Sequence, residues 1–258
     1  MLKPSPTVRR QTLSSVRIDK AQMTITALPL SAVIAMAFHV HPGQVAGPEW
    51  LTSTAFNITA KIPAGVAVDQ VPAMLQSLLT ERFHLAVHRE DRNQAVYALV
   101  VAKGGIRFKE VSAPAEEPEP TGDQSVQTPV GEMKMSGSGA SRELSGSGVR
   151  MKVAGAGMHI EVSQTAKLAA LLGADADRPV LDKTELKGSY QIGFDILDGA
   201  SCSSAGAGAS QIGMAPDPGT CNPEFDAVER QLGLRVEPQK ASIPIIIIDR
   251  MDKTPTEN

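Results

Sequence analysis

Hydrophobic residues change their spacing within one segment, Val71 to Ala102, around which the rest of the chain is organised. The first part of the segment has apolar residues at helical spacing, at Met74, Leu75, Leu78 and Leu79. Alternating apolar residues follow at Phe83, Leu85 and Val87, and a second apolar run extends from Val96 to Val101. The pattern predicts a helix, a strand, a short polar turn at residues 89–94 and a second strand.

A similar order of elements occurs in both halves of the chain. In the first half, a helix after Ser31 and an alternating strand at Ala55–Lys61 precede the segment above. The second half has a helix after Ser163, and its later strands and helix lie at Tyr190–Ile196, Glu224–Leu232, Leu234–Glu237 and Ile243–Asp249. The last strand is apolar on both faces, which is typical of the centre of a sheet. We therefore expect an internal repeat and an α+β fold of two related lobes, each a small mixed or antiparallel sheet with two helices packed on one face.

The segment between the two halves, residues 112–148, has the composition of a linker. It contains a Pro/Glu-rich run at 113–120 and two Ser-Gly-Ser-Gly runs, Ser136–Gly139 and Ser145–Gly148. The expected organisation is a first lobe at residues 1–111, the linker, and a second lobe at 149–258 with a cysteine-containing insertion at 198–222. We expect disorder over 112–127, whereas a loose hairpin at 132–144 is an alternative for the end of the linker.

Composition narrows the class of protein. Aromatic residues make up only 3% of the chain, so the core must be aliphatic, and the net charge of -3 gives no electrostatic reason for nucleic-acid binding. No apolar run approaches the ~20 residues of a transmembrane segment. No signal peptide follows Met1, so an exported protein would need a signal that is absent from this chain.

Two cysteines, Cys202 and Cys221, lie in one Ser/Gly/Ala-rich loop. A disulfide between them would close a loop of ~20 residues and stabilise the fold by roughly 3 kcal/mol. Such a bond suits an oxidising compartment. The alternative is a pair of free thiols.

His39 and His41 are the strongest metal-binding signal. On an extended segment their rings face one side with Cα atoms ~7 Å apart, which suits a divalent ion such as zinc if a third ligand joins. Residues that could join them are Glu49, which is near in sequence, and His88, Glu90 and Asp91, which can approach in the fold. The alternative is two solvated histidines on a loop broken by glycine and proline.

The central segment and the single tryptophan give weaker signals. His84 and His88 lie on one face of the predicted strand but ~13 Å apart, too far to share one ion. Glu90 and Asp91 carry oxygens that suit calcium, but a charged hairpin turn explains them better. Trp50 either packs its loop onto the core or contacts a ligand.

Recognised catalytic motifs are absent. The chain has no phosphate-binding loop, dinucleotide fingerprint or Cys-x-x-Cys motif. Ser138 and Ser147 lie between glycines, but in low-complexity sequence without the strand, turn and helix of a nucleophile elbow.

The order and spacing of short motifs resemble a known family over nearly the whole chain. In the first half these motifs are Leu28-Pro29-Leu30, Gly47-Pro48-Glu49-Trp50-Leu51, Phe56-Asn57-Ile58, Met74–Leu79, Glu81–Glu90 and Val96–Gly105. In the second half they are Arg178-Pro179-Val180, Asp182-Lys183-Thr184, Leu186-Lys187-Gly188, Tyr190, Gln231–Leu234, Ile248-Asp249 and Glu257-Asn258. They resemble an uncharacterised extracytoplasmic domain family that is expanded in Acidobacteria and also fused to BlaR-type sensor metallopeptidases. The resemblance implies export to the periplasm or secretion, and it carries no established catalytic residue.

Two functions are therefore expected. The first is an exported, non-catalytic binding or sensing module for a small ligand or an envelope protein. The alternative is a metal-assisted hydrolase of a small ester or lactone, for example a quorum-quenching enzyme for acyl-homoserine lactones, in which zinc or calcium held at His39 and His41 activates water. The sequence predicts neither the identity of the ligand nor the oligomeric state.

Overall fold

The structure, a computed structural model, describes residues 2–4, 15–18, 21–63, 70–111, 124–128, 131–138, 141–155, 157–174, 176–197 and 222–256. The two cysteines and residues 112–123 lie outside these ranges, so the predicted disulfide and the disorder expected there are not tested.

Five helices occur in the described part of the chain: α1 (Leu30–Phe38), α2 (Trp50–Ser53), α3 (Val71–Phe83), α4 (Thr165–Ala174) and α5 (Pro223–Leu232). Local chemistry explains several of their ends. The side chain of Asn222 caps α5 by accepting the N–H of Glu224 at 2.8 Å. His39, His84 and Gly233 end α1, α3 and α5 in the left-handed conformation. None of the helices in these ranges has the length and apolarity to span a membrane.

Most strands belong to one large antiparallel sheet. Its strands are β1 (Leu2–Pro4), β2 (Ser15–Ile18), β3 (Gln22–Pro29), β5 (Ala55–Lys61), β7 (Lys109–Val111), β8 (Gln124–Thr128), β9 (Gly131–Ser138), β10 (Ser141–Gly146), β11 (Val149–Ala154), β12 (Gly157–Val162) and β14 (Ser189–Leu197). Their order across the sheet is β1-β5-β3-β2-β8-β9-β10-β11-β12-β14-β7. The α+β class is confirmed, but one sheet runs through both halves where the sequence predicted a separate sheet for each lobe.

A second, four-stranded sheet has the order β13-β6-β15-β4. Its strands are β4 (Val45–Ala46), β6 (Ala86–Val101), β13 (Val180–Asp182) and β15 (Leu234–Arg250). β6 and β15 pair antiparallel over their length, while β4 and β13 add in parallel near opposite ends of the pair. The isoleucine-rich end of β15 lies between β6 and β4, as the apolar pattern predicts.

β6 corrects the predicted polar turn at residues 89–94. These residues continue a single strand of 16 residues, and their side chains are exposed. Their partners on β15 include Ile243 and Ile245, which are buried in a small third cluster with Val96. The polar residues therefore lie between the two large cores on a strand that continues, and not at a reversal of the chain. Phe83, predicted to begin the strand, instead ends α3 and is buried in the first core.

The same order of elements occurs in both halves, β3-α1-β5-α3-β6 and β12-α4-β14-α5-β15. The first core lies around α1 and α3, and the second lies around α4 and α5. Each half contributes its last strand to both cores. β6 places Val87 in the first core and Tyr97 in the second, whereas β15 places Val236 in the second core and Ile248 in the first.

The linker prediction for residues 112–148 needs correction where the structure describes them. β8, β9 and β10 lie inside the predicted linker, and β9 pairs with β10 as the hairpin that was the alternative for residues 132–144. Met133 is buried in the second core, and Leu144 packs against it. These strands therefore bury apolar side chains on one face, although the segment is polar overall. Ser147 and Gly148, both with positive φ, form a two-residue hairpin turn between β10 and β11.

Candidate functional site

A groove of about 390 Å³ lies between α1 of the first half and α4 of the second half. Val16 and Leu28 from the large sheet and Val180 and Leu181 from the small sheet complete its wall. The groove therefore lies where the two halves meet. Pockets at such junctions, with volumes of roughly 300–1,000 Å³ and mostly apolar walls, are the usual ligand sites of proteins.

α1 contributes one complete face to the groove, formed by Ala32, Ala35, Met36 and His39. These residues have the i, i+3, i+4, i+7 spacing of one helical face. The neighbouring face carries Val33, Ile34 and Ala37, which are fully buried in the first core. One face of α1 therefore packs into the first core, while the small residues on the other face leave room for the groove.

α4 provides the opposite wall with another set of small residues, Ala169, Ala170, Gly173 and Ala174. Gly173 is required by close packing, because a Cβ there would lie 3.3 Å from the backbone nitrogen of Val180. Leu168 and Leu172 point into the second core. Small residues on both facing helices keep the groove open.

His41 connects the two halves at one end of the groove. Its Nδ1 accepts the N–H of Gly43 at 3.0 Å, so the ring proton lies on Nε2. Nε2 donates this proton to the carbonyl oxygen of Ala176, 3.2 Å away in the loop after α4. Burial lowers the pKa of His41, although the carbonyls of Ala176 and Gly173 and the carboxylate of Asp177 act in the opposite direction.

Gln44 fixes the loop that carries His41. Its Oε1 accepts the backbone N–H of His41 at 2.9 Å, and its Nε2 donates to the carbonyl of Pro244 on β15 at 2.8 Å. The loop is therefore tied to the small sheet and, through His41, to the second half. His39, in contrast, is exposed at the groove, and its side chain has no hydrogen bond or ion pair to another described residue, although its backbone N–H donates to the carbonyl of Ala35.

The remaining residues predicted to bind metal do not join His39 and His41. Nδ1 of His88 pairs with Asp249 at 2.8 Å, and Glu90 pairs with Arg92 at 2.8 Å, which lowers the pKa of the Glu90 carboxyl. Asp91 lies exposed on β6. Among the described residues, no three His, Cys, Asp or Glu side chains converge as metal ligands.

Glu49 and Trp50 lie at the start of α2. Glu49 is exposed and makes no side-chain cap, whereas Trp50 is half-buried and packs against the first core. The tryptophan therefore has the packing role that was one of its two predicted roles.

A wider cleft of about 850 Å³ lies beside α5, at the end of the described part of β14. Several of its polar groups bind one another. His159 pairs with Asp195 at 2.7 Å, Arg230 pairs with Asp226 at 3.1 Å, and the amide of Gln231 pairs with the backbone of Asp195. The cleft is also lined by Lys152 and is thus more charged than the groove, so the groove is the better candidate for a mostly apolar ligand.

Sequence reasoning missed the groove residues on α1 and α4 because it read those helices only for their large apolar residues. The spacing of Ala32, Ala35, Met36 and His39 was the available signal. It could have shown that His39 ends a helix face, but the partner helix comes from the other half of the chain and has no local signature.

Comparison with known families shows a match over most of the chain. The family described as "Protein of unknown function (DUF3738)" matches residues 31–251. No curated protein and no solved structure shows a significant match.

Proposed function

Since this chain belongs to the family of proteins of unknown function DUF3738, whose description names no activity, we propose that it is a non-catalytic binding protein for an uncharged, mostly apolar small molecule held in the groove between α1 and α4. The groove's position between the two halves, with its apolar walls, is the observation that carries the proposal.

The residues that line the groove support an uncharged ligand. No Asp, Glu, Lys or Arg is among the described residues that line the groove, and burial favours the neutral form of His41. A charged group buried there would lose its hydration without gaining a counter-charge. This argues against nucleotides, sugar phosphates and free metal ions as ligands.

The absence of suitable chemistry at the groove argues for binding over catalysis. Both ring nitrogens of His41 have backbone partners, and both ends of the Gln44 amide are engaged. The described wall has no carboxylate, cysteine or serine beside His39 that would form a nucleophile and base pair.

We also propose that binding takes place outside the cytoplasm. The support is the resemblance to extracytoplasmic domains that are expanded in Acidobacteria and fused to BlaR-type sensor metallopeptidases. A ligand-binding domain in that position would act as a sensor.

The test uses the uncharged fluorescent dye N-phenyl-1-naphthylamine. We expect saturable binding that falls at least tenfold, about 1.4 kcal/mol, in the variants Ala32→Leu and Ala170→Leu, because the larger side chains fill the groove. Ala73→Leu is the matched control, since Ala73 is exposed on α3 and does not line the groove. No saturable binding, or binding equal in all three variants, would overturn the proposal.

A further inference from the structure

We infer that the groove selects ligands whose polar end is a hydroxyl group that donates a hydrogen bond to the imidazole of His39, while the apolar remainder lies between α1 and α4. The inference rests on the groove being the ligand site. It adds to the proposed function the chemical class of the ligand and the direction in which the ligand lies in the groove.

The direction of the two helices gives the first reason. α1 ends at Phe38 and α4 ends at Ala174, and His39 and Ala174 both line the groove. The hydrogen bond from His41 to the carbonyl of Ala176 joins the loops that follow the two helices. Both carboxyl ends therefore lie at the same end of the groove.

The carboxyl end of a helix is electronegative and rich in acceptors. The last four carbonyl groups of a helix have no partner within it, and the macrodipole places about half a negative charge there. In α1 two of these carbonyls are already engaged, since Ala35 accepts the N–H of Val40 and Ala37 accepts the side-chain amide of Gln76. The carboxylate of Asp177 adds negative charge near His41, although it also pairs with the neighbouring Arg178 at 3.0 Å. The helix ends therefore disfavour an anionic ligand end, and a ligand carbonyl would find no side-chain donor there other than the ring N–H of His39.

The side chains at this end support the same choice. His41 and Gln44 use their donors and acceptors within the protein. His39 keeps an imidazole that can accept a hydrogen bond at one nitrogen. A cationic end group would complement the potential, but the apolar wall would have to receive it without a lining carboxylate. An uncharged hydroxyl group avoids the cost of burying a charge and can still donate a hydrogen bond at this end of the groove.

Three probes of equal chain length test the inference by displacement of N-phenyl-1-naphthylamine. Octan-1-ol and 1-methoxyheptane are isomers that differ in the hydroxyl donor, and octanoate carries a negative charge. We expect octan-1-ol to displace the dye at a concentration about fivefold lower than 1-methoxyheptane, the effect of one hydrogen bond, and octanoate to be the weakest.

Two variants locate the effect. His39 has φ 53°, a conformation that glycine adopts freely, so His39→Gly removes the imidazole without disturbing the end of α1. We expect the ratio between the ether and the alcohol to fall towards one in this variant. His84→Gly is the matched control, because His84 ends α3 with φ 50° away from the groove, and it should keep the wild-type ratio.

The outcomes separate this inference from the proposed function. If the dye binds in the groove but the ether or octanoate displaces it as well as octan-1-ol does, the inference is wrong and the binding function stands. An unchanged ratio in His39→Gly would also overturn the inference, because the hydroxyl would then not be recognised by His39. Failure of the dye to bind the wild-type protein would overturn the proposed function itself.

Discussion

Val87 and Tyr97 lie on the same face of β6 but pack into different hydrophobic cores. The antiparallel partner of β6 repeats the arrangement in reverse, with Leu234 in the second core and Ile246 in the first. Each half of the chain thus supplies part of the core of the other. The two halves should unfold together, although the repeated order of their elements suggests independent lobes.

We expect Leu99→Ala to lower the free energy of unfolding by about 3 kcal/mol, because Leu99 is fully buried in the second core. Trp50 reports on the first core, where the side chain packs. Urea unfolding followed by tryptophan fluorescence and by circular dichroism should shift to the same lower midpoint. Val101→Ala is the control, since Val101 is 37% exposed on the same strand. A tryptophan transition that keeps its wild-type midpoint would show that the cores are independent.

Asp182 holds the start of α4 to the turn that follows β13. Its Oδ2 accepts the hydroxyl of Thr165 at 2.7 Å, and its Oδ1 accepts the N–H and the hydroxyl of Thr184. Both threonines are buried. We expect Asp182→Ala to destabilise the protein by about 2 kcal/mol, because these donors lose their acceptor.

Urea denaturation measures this effect. Asp249→Ala is the control, since Asp249 pairs with His88 on the surface with its side chain 48% exposed. Equal midpoints for the two variants would mean that the buried contacts add no more than a surface ion pair.

The class of fold, the four longer helices and the repeated order could be predicted because hydrophobic spacing records which face of each element is buried, whereas the short helix α2 was not predicted. The groove could not be, because it depends on how two sequence-distant helices face each other. Ala32 and Ala170 have no functional signature of their own and gain a role only through the space between them.

The turn predicted at residues 89–94 and the linker predicted around Ser145–Gly148 were wrong because both relied on local composition. Residues 89–94 have turn composition, yet they form a strand because β15 pairs with them along their length. Ser145–Gly148 has linker composition, yet it supplies the end of a strand and a tight turn. For residues 89–94, pairing with a strand distant in sequence outweighs local propensity, whereas Ser145–Gly148 forms a local hairpin between neighbouring strands.

The hypothesis that His39 and His41 bind a metal ion can be tested by replacing both residues. His41 could bind an ion only by losing a backbone hydrogen bond, and no third ligand joins it among the described residues. We therefore expect that the double variant His39→Ala, His41→Ala retains the same amount of zinc or calcium as the wild type in elemental analysis. It should also show the same ester and lactone hydrolysis with and without chelator. One equivalent of metal that is lost in the variant would favour the hydrolase.

The pH dependence of stability should report on the burial of His41 and on its contact with Gly43. The pKa of His41 in the folded protein is below its usual value of 6.5, so the unfolded chain binds more protons between these two values. The contribution of neutral His41 to the free energy of unfolding should therefore be fully present above pH 6.5 and decrease as the pH falls through this window. The reason is that protonated Nδ1 can no longer accept the N–H of Gly43. Asparagine at this position keeps an acceptor for that N–H but does not titrate. Urea midpoints measured at about pH 7.5 and about pH 5.5 should differ more for the wild type than for His41→Asn. An equal difference in both proteins would show that His41 does not contribute to acid sensitivity.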